Sequence, residues 1–432
     1  MSASAHPMRH KRRVLLAALM GTAVEFYDFF IYGTAAALMF GPLFFPAASP
    51  AAQTLLAFAS FGLAFFARPV GAIVFGHFGD RIGRKSTLVA SLLTMGLSTF
   101  AIAFLPTYAM AGWIAPALLC LMRFGQGFGL GGEWGGAALL TAEHAPPGWE
   151  SRFVSIMQLG SPIGFFAANG VFLILGATLS DAQFMDWGWR LPFVGSALLV
   201  AVGLYVRLKI EETPQFQEAL DRDDVVRVPF VEIVSRHGGA LACGAAGVVA
   251  TFAVFYIATS FALALGVGEL GYGREELLVA QMIANGFYVV GILLAGQLAD
   301  RIGSAKVLAG GAAATILVGV VFEAGLRSGS MFAVGATLSA AMLVLGFNNG
   351  PLGSWLATLF PVRSRYTGVS LAFNAGGILG GAVVPFVAQL LVVQGQSRAT
   401  GVLLLLAGLA TLAGTLFAPR RARTNIQEGQ TT

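Results

Sequence analysis

Twelve long apolar runs, parted by short charged connections, leave this chain one kind of surroundings. Each run approaches the roughly 20 residues that a helix needs to cross a bilayer. They cover about Val14 to Phe40, Thr54 to Phe75, Thr87 to Leu105, Trp113 to Leu140, Val154 to Leu175 and Leu191 to Leu208. After a polar stretch, EETPQFQEALDRDDVVRVPF, six more follow: Gly239 to Leu265, Leu277 to Leu298, Val307 to Gly325, Phe332 to Leu359, Gly368 to Val393 and Gly401 to Phe417. In lipid the backbone must satisfy its own hydrogen bonds, and runs of this length do so as helices. Composition agrees: 56% of residues are hydrophobic and 11% charged, against about 25% charged in soluble proteins. The basic residues before the first run suggest a signal peptide, but that run is too long, holds Glu25 and Asp28, and shows no small-residue cleavage site. It reads as the first span.

The positive charges set an orientation. With the first end inside, Arg9, Lys11, Arg12, Arg13, Arg81, Arg84, Lys85, Arg152, Arg301, Lys306, Arg363 and Arg365 fall on the inner side, while Arg190, Arg274, Arg327 and Arg398 fall outside. Positive residues favour the cytoplasm, so both termini are expected there. The net charge of +5 therefore reads as topology, and no nucleic-acid partner is expected.

One charged segment occurs twice. GHFGDRIGRK, Gly76 to Lys85, lies between the second and third runs, and GQLADRIGSAK, Gly296 to Lys306, lies between the eighth and ninth. A repeated element in matching surroundings signals internal duplication. The fold class expected is an all-α membrane protein of twelve transmembrane helices in two pseudo-symmetric six-helix bundles. The divisions are residues 1–208, a cytoplasmic linker 209–238, a second bundle 239–418 and a cytoplasmic tail 419–432. Gly76, Gly79 and Gly83 permit a tight turn. Asp80 followed by Arg81, Arg84 and Lys85 could pair across helix ends, whereas the copy keeps Asp300 and Arg301 but has Ser304 in place of Arg84.

Ionisable residues within apolar spans are costly and usually face a cavity or a partner. Glu25 and Asp28 lie three apart, on one helix face. Counting about 1.5 Å per residue, Asp28 and Arg123 reach similar depth from opposite directions. A carboxylate alone at that depth holds its proton, and one beside an arginine releases it. A pair that forms in one state and parts in another is the minimum machinery for coupling a proton to a conformational cycle.

These residues sit in motifs that resemble the major facilitator superfamily. GHFGDRIGRK looks like its signature loop. ARPVG (Ala67 to Gly71), RFGQGFGLGGEWGGA (Arg123 to Ala137), DWGWRLPF (Asp186 to Phe193) and LFPVRSRYTG (Leu359 to Gly368) resemble its metabolite:proton symporter family. That family carries shikimate, oxoglutarate, citrate, proline and betaine. The resemblance implies a mid-membrane site worked by alternating access. In the related sugar porters an Asp in a context like FYDF serves as proton site opposite an Arg like Arg123. This casts Asp28, Glu25, Arg123 and Glu133 as proton-coupling or gate residues, and Asp80, Arg84 and Glu143 as a cytoplasmic latch. Asp300 and Arg301 are the second-half counterparts.

Arg68, beside Pro69 in the second span, and Arg123 are expected to bind substrate, and bidentate arginines favour an anion. Arg190 reads as an interfacial cation. Gln158 matches by spacing the pocket Gln of the sugar porters. Tyr32, Asn169, Tyr256, Gln281, Asn285, Tyr288, Asn348, Asn349 and Asn374 could complete the pocket, although such residues more often join helices. Gln281, Asn285 and Tyr288 share one face by spacing.

The expected function is proton-coupled uptake of a small organic acid, shikimate-like or a short carboxylate, in a bacterial inner membrane by a monomer, with the proton gradient as energy source and no cofactor. A carrier of a zwitterion such as proline or betaine shares every motif, though the tail after Phe417 lacks the heptads of an osmotically activated branch. An organic-acid exporter or exchanger stays open, since motifs do not set direction. Cys120 and Cys243 lack metal-ligand spacing. His6, His10, His77, His144 and His237 are scattered with no nucleophile–base pattern, so an enzyme is not expected.

Overall fold

The computed structural model describes residues 6–46, 49–82, 84–131, 133–208, 230–361 and 364–419. Within them, the side chains of residues 6–14, 17, 76–82, 84–88, 206–208 and 230–232 are not described. The described residues form helices and connections only.

Among the described residues twelve long helices cross the molecule: α1 (His6–Leu38), α2 (Pro50–Ile82), α3 (Arg84–Ile102), α4 (Ile114–Glu143), α5 (Glu150–Thr178) and α6 (Leu191–Leu208). The others are α7 (Gly238–Gly268), α8 (Arg274–Ile302), α9 (Ser304–Leu326), α10 (Met331–Leu359), α11 (Arg365–Val393) and α12 (Thr400–Leu416). Ten spans among the described residues are long and apolar enough to cross a membrane, and α3 adds a shorter apolar stretch, Val89–Ile102. The helices overrun the apolar runs by several residues at many ends: Arg274 opens α8, and Asp300 and Arg301 close it. Hydropathy marks the depth of hydrocarbon, while helical hydrogen bonding continues into the polar layer.

The charged stretch Gly76 to Lys85 is thus mostly helix rather than an open turn. α2 continues to Ile82 and α3 begins at Arg84. The copy is equally abrupt. One residue, Gly303, separates α8 from α9 at φ +97°, a conformation glycine enters without the steric cost a Cβ brings.

Short connections make successive helices antiparallel, so α1 begins and α12 ends on one face, called here the terminal face. In the first half α1 packs on α5, α2 on α4, and α3 on α4 and α6. In the second, α8 packs on α10, α9 on α12, and α7 on α11 and α12. The halves meet where α5 crosses α8, α2 crosses α11, α1 meets α7, and α4 meets α10 and α11.

Lipid offers no hydrophobic drive between helices, so close packing of small residues must hold them together. A Cβ on Gly127 would collide with the Ala64 backbone, and one on Gly346 would lie 2.5 Å from the Gly291 backbone. Gly346→Ala should therefore wedge α8 from α10 and cost about 1–3 kcal/mol, read as a lower melting temperature in detergent. Gly310→Ala, where a Cβ meets nothing within 4 Å, should leave melting unchanged or raise it slightly, because alanine favours helix by about 0.5–1 kcal/mol.

Candidate functional site

Two arginines lie deep in the first half. Arg123 is 0% exposed. Its Nε donates to Phe61 O at 3.2 Å and its Nη1 to Gln126 Oε1 at 2.9 Å, while Nη2 has no hydrogen-bond partner. Its guanidinium lies over the rings of Phe29 and Tyr32, each at 4.1 Å, and Phe61 at 4.6 Å. Arg68 is also buried, with Nε unpartnered. It lies 4.6 Å from the same Phe29 ring and 4.7 Å from Phe65. Aromatic faces offset part of the desolvation cost of a guanidinium, but they do not cancel its charge.

Asp28 is 1% exposed, and neither carboxylate oxygen has a hydrogen-bond partner. It faces Thr99, whose hydroxyl already donates to Met95 O and accepts from Gln126 Nε2. Asp28 and Arg123 make no ion pair in this conformation. Thr99 and Gln126 stand in the path between them. Sequence spacing set their depth and could not show this intervening amide, although Gln126 lies one turn from Arg123.

The amides mainly join the halves. Gln158 accepts from Trp134 Nε1 at 3.1 Å and donates to Asn349 Oδ1. Asn349 in turn donates to the Tyr288 hydroxyl. Thr34 donates to Asn169 at 2.8 Å, Asn169 to Gln281 at 3.4 Å, and Gln281 to Thr259 O at 2.8 Å. Thr259 lies in a π-helical turn, Ile257–Phe261, a geometry that loosens carbonyls from their usual partners and often marks functional segments. Asn285 donates to Pro162 O at 2.9 Å. Gln281, Asn285 and Tyr288 do share a face, directed at α5 and α7. Asn348 is turned away: it donates to Thr315 of α9 at 2.8 Å, and Asn349 takes the inter-half position. Tyr32 bonds Ser60 at 2.8 Å and stacks on Arg123.

Two clefts flank a stacked pair. Trp134 of α4 and Phe373 of α11 lie parallel, ring centroids 3.5 Å apart. Toward the terminal face, a narrow cleft is lined by Glu25, Arg68, Ser370 and Asn374 among others. Beyond the stack, a second narrow cleft is walled by Phe26, Phe30, Phe252, Phe255 and Tyr256, with Thr251, Tyr288 and Asn349 as polar liners. Sequence reasoning passed over Trp134, Phe373, Ser370 and Thr251. Trp134 lies within the glycine-rich GGEWGG, and a large ring among glycines was the available signal.

Toward the terminal face the halves close on each other. Asp300 accepts from the backbone N–H of Ser151 at 2.9 Å and Arg152 at 3.3 Å, and pairs with Arg152 Nε at 3.2 Å. It therefore caps the start of α5, where unpaired N–H groups and the helix dipole favour an anion. Ser155 donates to Gly350 O and Asn374 to Gly131 O, carbonyls at breaks in α10 and α4. Toward the opposite face, Arg274 pairs with Asp181 at 3.3 Å and lies over Phe184. The clefts lie between these two closures.

The remaining expected residues are placed as follows. The side chains of Asp80 and Arg84 lie outside the described residues; Glu143 is exposed. Glu133 is buried and accepts from Ser91 of α3. Arg301 is exposed. Arg190 donates to Asp186 O at 2.6 Å and Leu105 O at 3.3 Å at the opposite face, as suits an interfacial cation.

Comparison with known proteins adds to this geometry. Residues 14–225 match the family described as Sugar (and other) transporter. The chain is 46% identical over 413 residues to the inner membrane metabolite transport protein YhjE of Escherichia coli, covering 94% of each. It is 36% identical over 384 residues to the shikimate transporter of E. coli, covering 88% of each. It is 32% identical over 396 residues to the proline/betaine transporter of Salmonella typhimurium, covering 89% of this chain and 78% of that one. The fold is that of a D-xylose-proton symporter, with TM-score 0.73 at 19% identity, covering 94% of this chain and 98% of that one.

Asp300→Ala should free the start of α5 and open the terminal face. The expected effect is about 1–3 kcal/mol, as for loss of a charge-assisted bond, with faster hydrogen exchange at Ser151 and Arg152 than at Asn285 or Gln281.

Proposed function

The chain belongs to the sugar and metabolite transporters of the major facilitator superfamily, and on that premise we propose that it couples protons to the uptake of a small organic anion. It is a secondary metabolite transporter and no enzyme. The observation that carries the anion reading is the pair Arg68 and Arg123. Both are buried, both lie over Phe29, and each keeps a nitrogen without a partner. Burying two cations against one ring is costly, and a carboxylate between the halves would offset their charge. Asp28, buried and facing Thr99, is one proposed proton site, and Glu25 is the other.

The working cycle follows from the two closures. Breaking Asp300 from α5 opens one face and breaking Arg274 from Asp181 opens the other, so the halves rock about the clefts as bundles 1–208 and 239–418. The protein lies in the inner membrane as a monomer with its terminal face toward the cytoplasm, the orientation supported by the loop cations.

The aromatic wall beyond Trp134 favours a second reading. Phe252, Phe255 and Tyr256 could receive a methylated ammonium, which makes a betaine-like zwitterion the competing substrate class. Detergent-purified protein should be screened by thermal shift against organic acids, betaines and sugars. A ligand at a hundredfold excess over Kd stabilises by roughly 2–3 kcal/mol. A hit among acids, lost in Arg123→Gln, supports the anion carrier; a hit confined to betaines selects the zwitterion carrier. In liposomes, Asp28→Asn should abolish accumulation driven by a pH gradient and keep counterflow of the hit compound. Undiminished accumulation would remove Asp28 from the coupling.

A further inference from the structure

The cleft on the terminal side of Trp134 gathers more polar chemistry than helix packing requires. Arg68 of α2 and Ser370 of α11 line it from opposite halves, both buried. Arg68 Nε and Ser370 Oγ have no hydrogen-bond partner. Asn374, one turn beyond Ser370, spends its amide N–H on Gly131 O and so joins the walls of the cleft. Glu25 of α1 completes the polar lining, and its charge acts on Arg68.

We propose that this cleft is a carboxylate subsite in which Glu25 and the carboxylate of the transported anion compete for the Arg68 guanidinium, with Ser370 as the second donor. This rests on the anion reading above and names the residues through which anion and proton are counted together. With Glu25 ionised, its charge answers Arg68 and the cleft is neutral without an anion. A proton from adjoining water adds to a Glu25 carboxylate oxygen and leaves Arg68 uncompensated. An anion then enters and restores neutrality. The two neutral contents are ionised Glu25 alone, or protonated Glu25 with one anion. The two mismatched contents carry a net charge, which costs most when the halves close and exclude water. Closure therefore selects one proton with each anion, or neither.

Other charged and titratable groups stand around the cleft. On α1, Asp28 lies nearly one turn on and faces Thr99 of α3. On α4, Glu133 accepts from Ser91 of α3, and Arg123 shares Phe29 with Arg68. Tyr256 of α7 also acts on Arg68. The cleft residues from α11 are uncharged.

The test needs no identified substrate. In full-length protein with Cys120→Ser and Cys243→Ser, Ser370→Cys places a single thiol in the cleft. Its reaction rates with a sulfonate-bearing and a trimethylammonium-bearing methanethiosulfonate are compared from pH 5 to pH 8. Their ratio cancels the thiol's own ionisation and reports the charge beside it. The expected ratio favours the sulfonate and rises on the order of tenfold as pH falls, the scale of one unit charge at close range. Glu25→Gln should fix the ratio high at every pH, Glu25→Asp should restore the pH dependence, and Arg68→Gln should reverse the preference. A ratio independent of pH, one unchanged by Glu25→Gln, or a thiol reached by neither reagent overturns the proposal. The labelling does not measure transport, so these outcomes leave the liposome test of anion uptake standing or falling separately.

Discussion

Hydrocarbon offers no water to a buried polar group, and that constraint organises this molecule. An amide left unpaired at mid-depth costs several kcal/mol, so Gln158, Asn349 and Tyr288 bond one another across the two halves. Thr34, Asn169 and Gln281 do the same and end on a carbonyl in a π turn of α7. These chains hold the halves together with bonds that can be exchanged. A hydrophobic seam would offer no such exchange, because lipid tails solvate leucine as well as another helix does.

Against that background the exceptions carry the chemistry. Asp28, Arg68, Arg123, Thr251 and Ser370 each keep a buried polar atom without a hydrogen-bond partner. Arg68 and Ser370 line one cleft and Thr251 the other, while Asp28 and Arg123 lie against Thr99, Gln126 and Phe61 of the first half. Phe29 lies against both guanidiniums and places two cations on one aromatic ring. The two like charges act on each other across that ring.

Enclosure depends on a few contacts far from this centre. Asp300 works because helix starts present N–H groups that nothing else in the helix can take. One carboxylate on α8 thus fixes the first turn of α5 in the other half. The repeated segment looked unequal in the sequence, since its second copy lacks a counterpart to Arg84. The structure supplies the partner from elsewhere, with Arg152 of α5 pairing with Asp300. A motif read in isolation shows its own residues, whereas a latch is made by whatever the opposite half brings to it.

The apolar runs determined the helices, their number to within the spans that side-chain hydropathy resolves, and their alternation, because bilayer thickness sets run length. Depth along each helix was also legible, which is how Asp28 and Arg123 were matched, whereas Arg68 stood out by its motif. The face shared by Gln281, Asn285 and Tyr288 was legible for the same reason, a fixed 3.6-residue period. Rotation and pairing were decided only in three dimensions. Asn348 and Asn349 are neighbours in sequence, yet one bonds within its own half and the other across the cleft. Asp28 and Arg123 match in depth, yet Thr99 and Gln126 lie between them. Trp134 and Phe373 lie far apart in sequence and meet face to face. Helix period gives direction around one axis, but which axes lie opposite, and at what distance, is set by packing of small residues along whole helices.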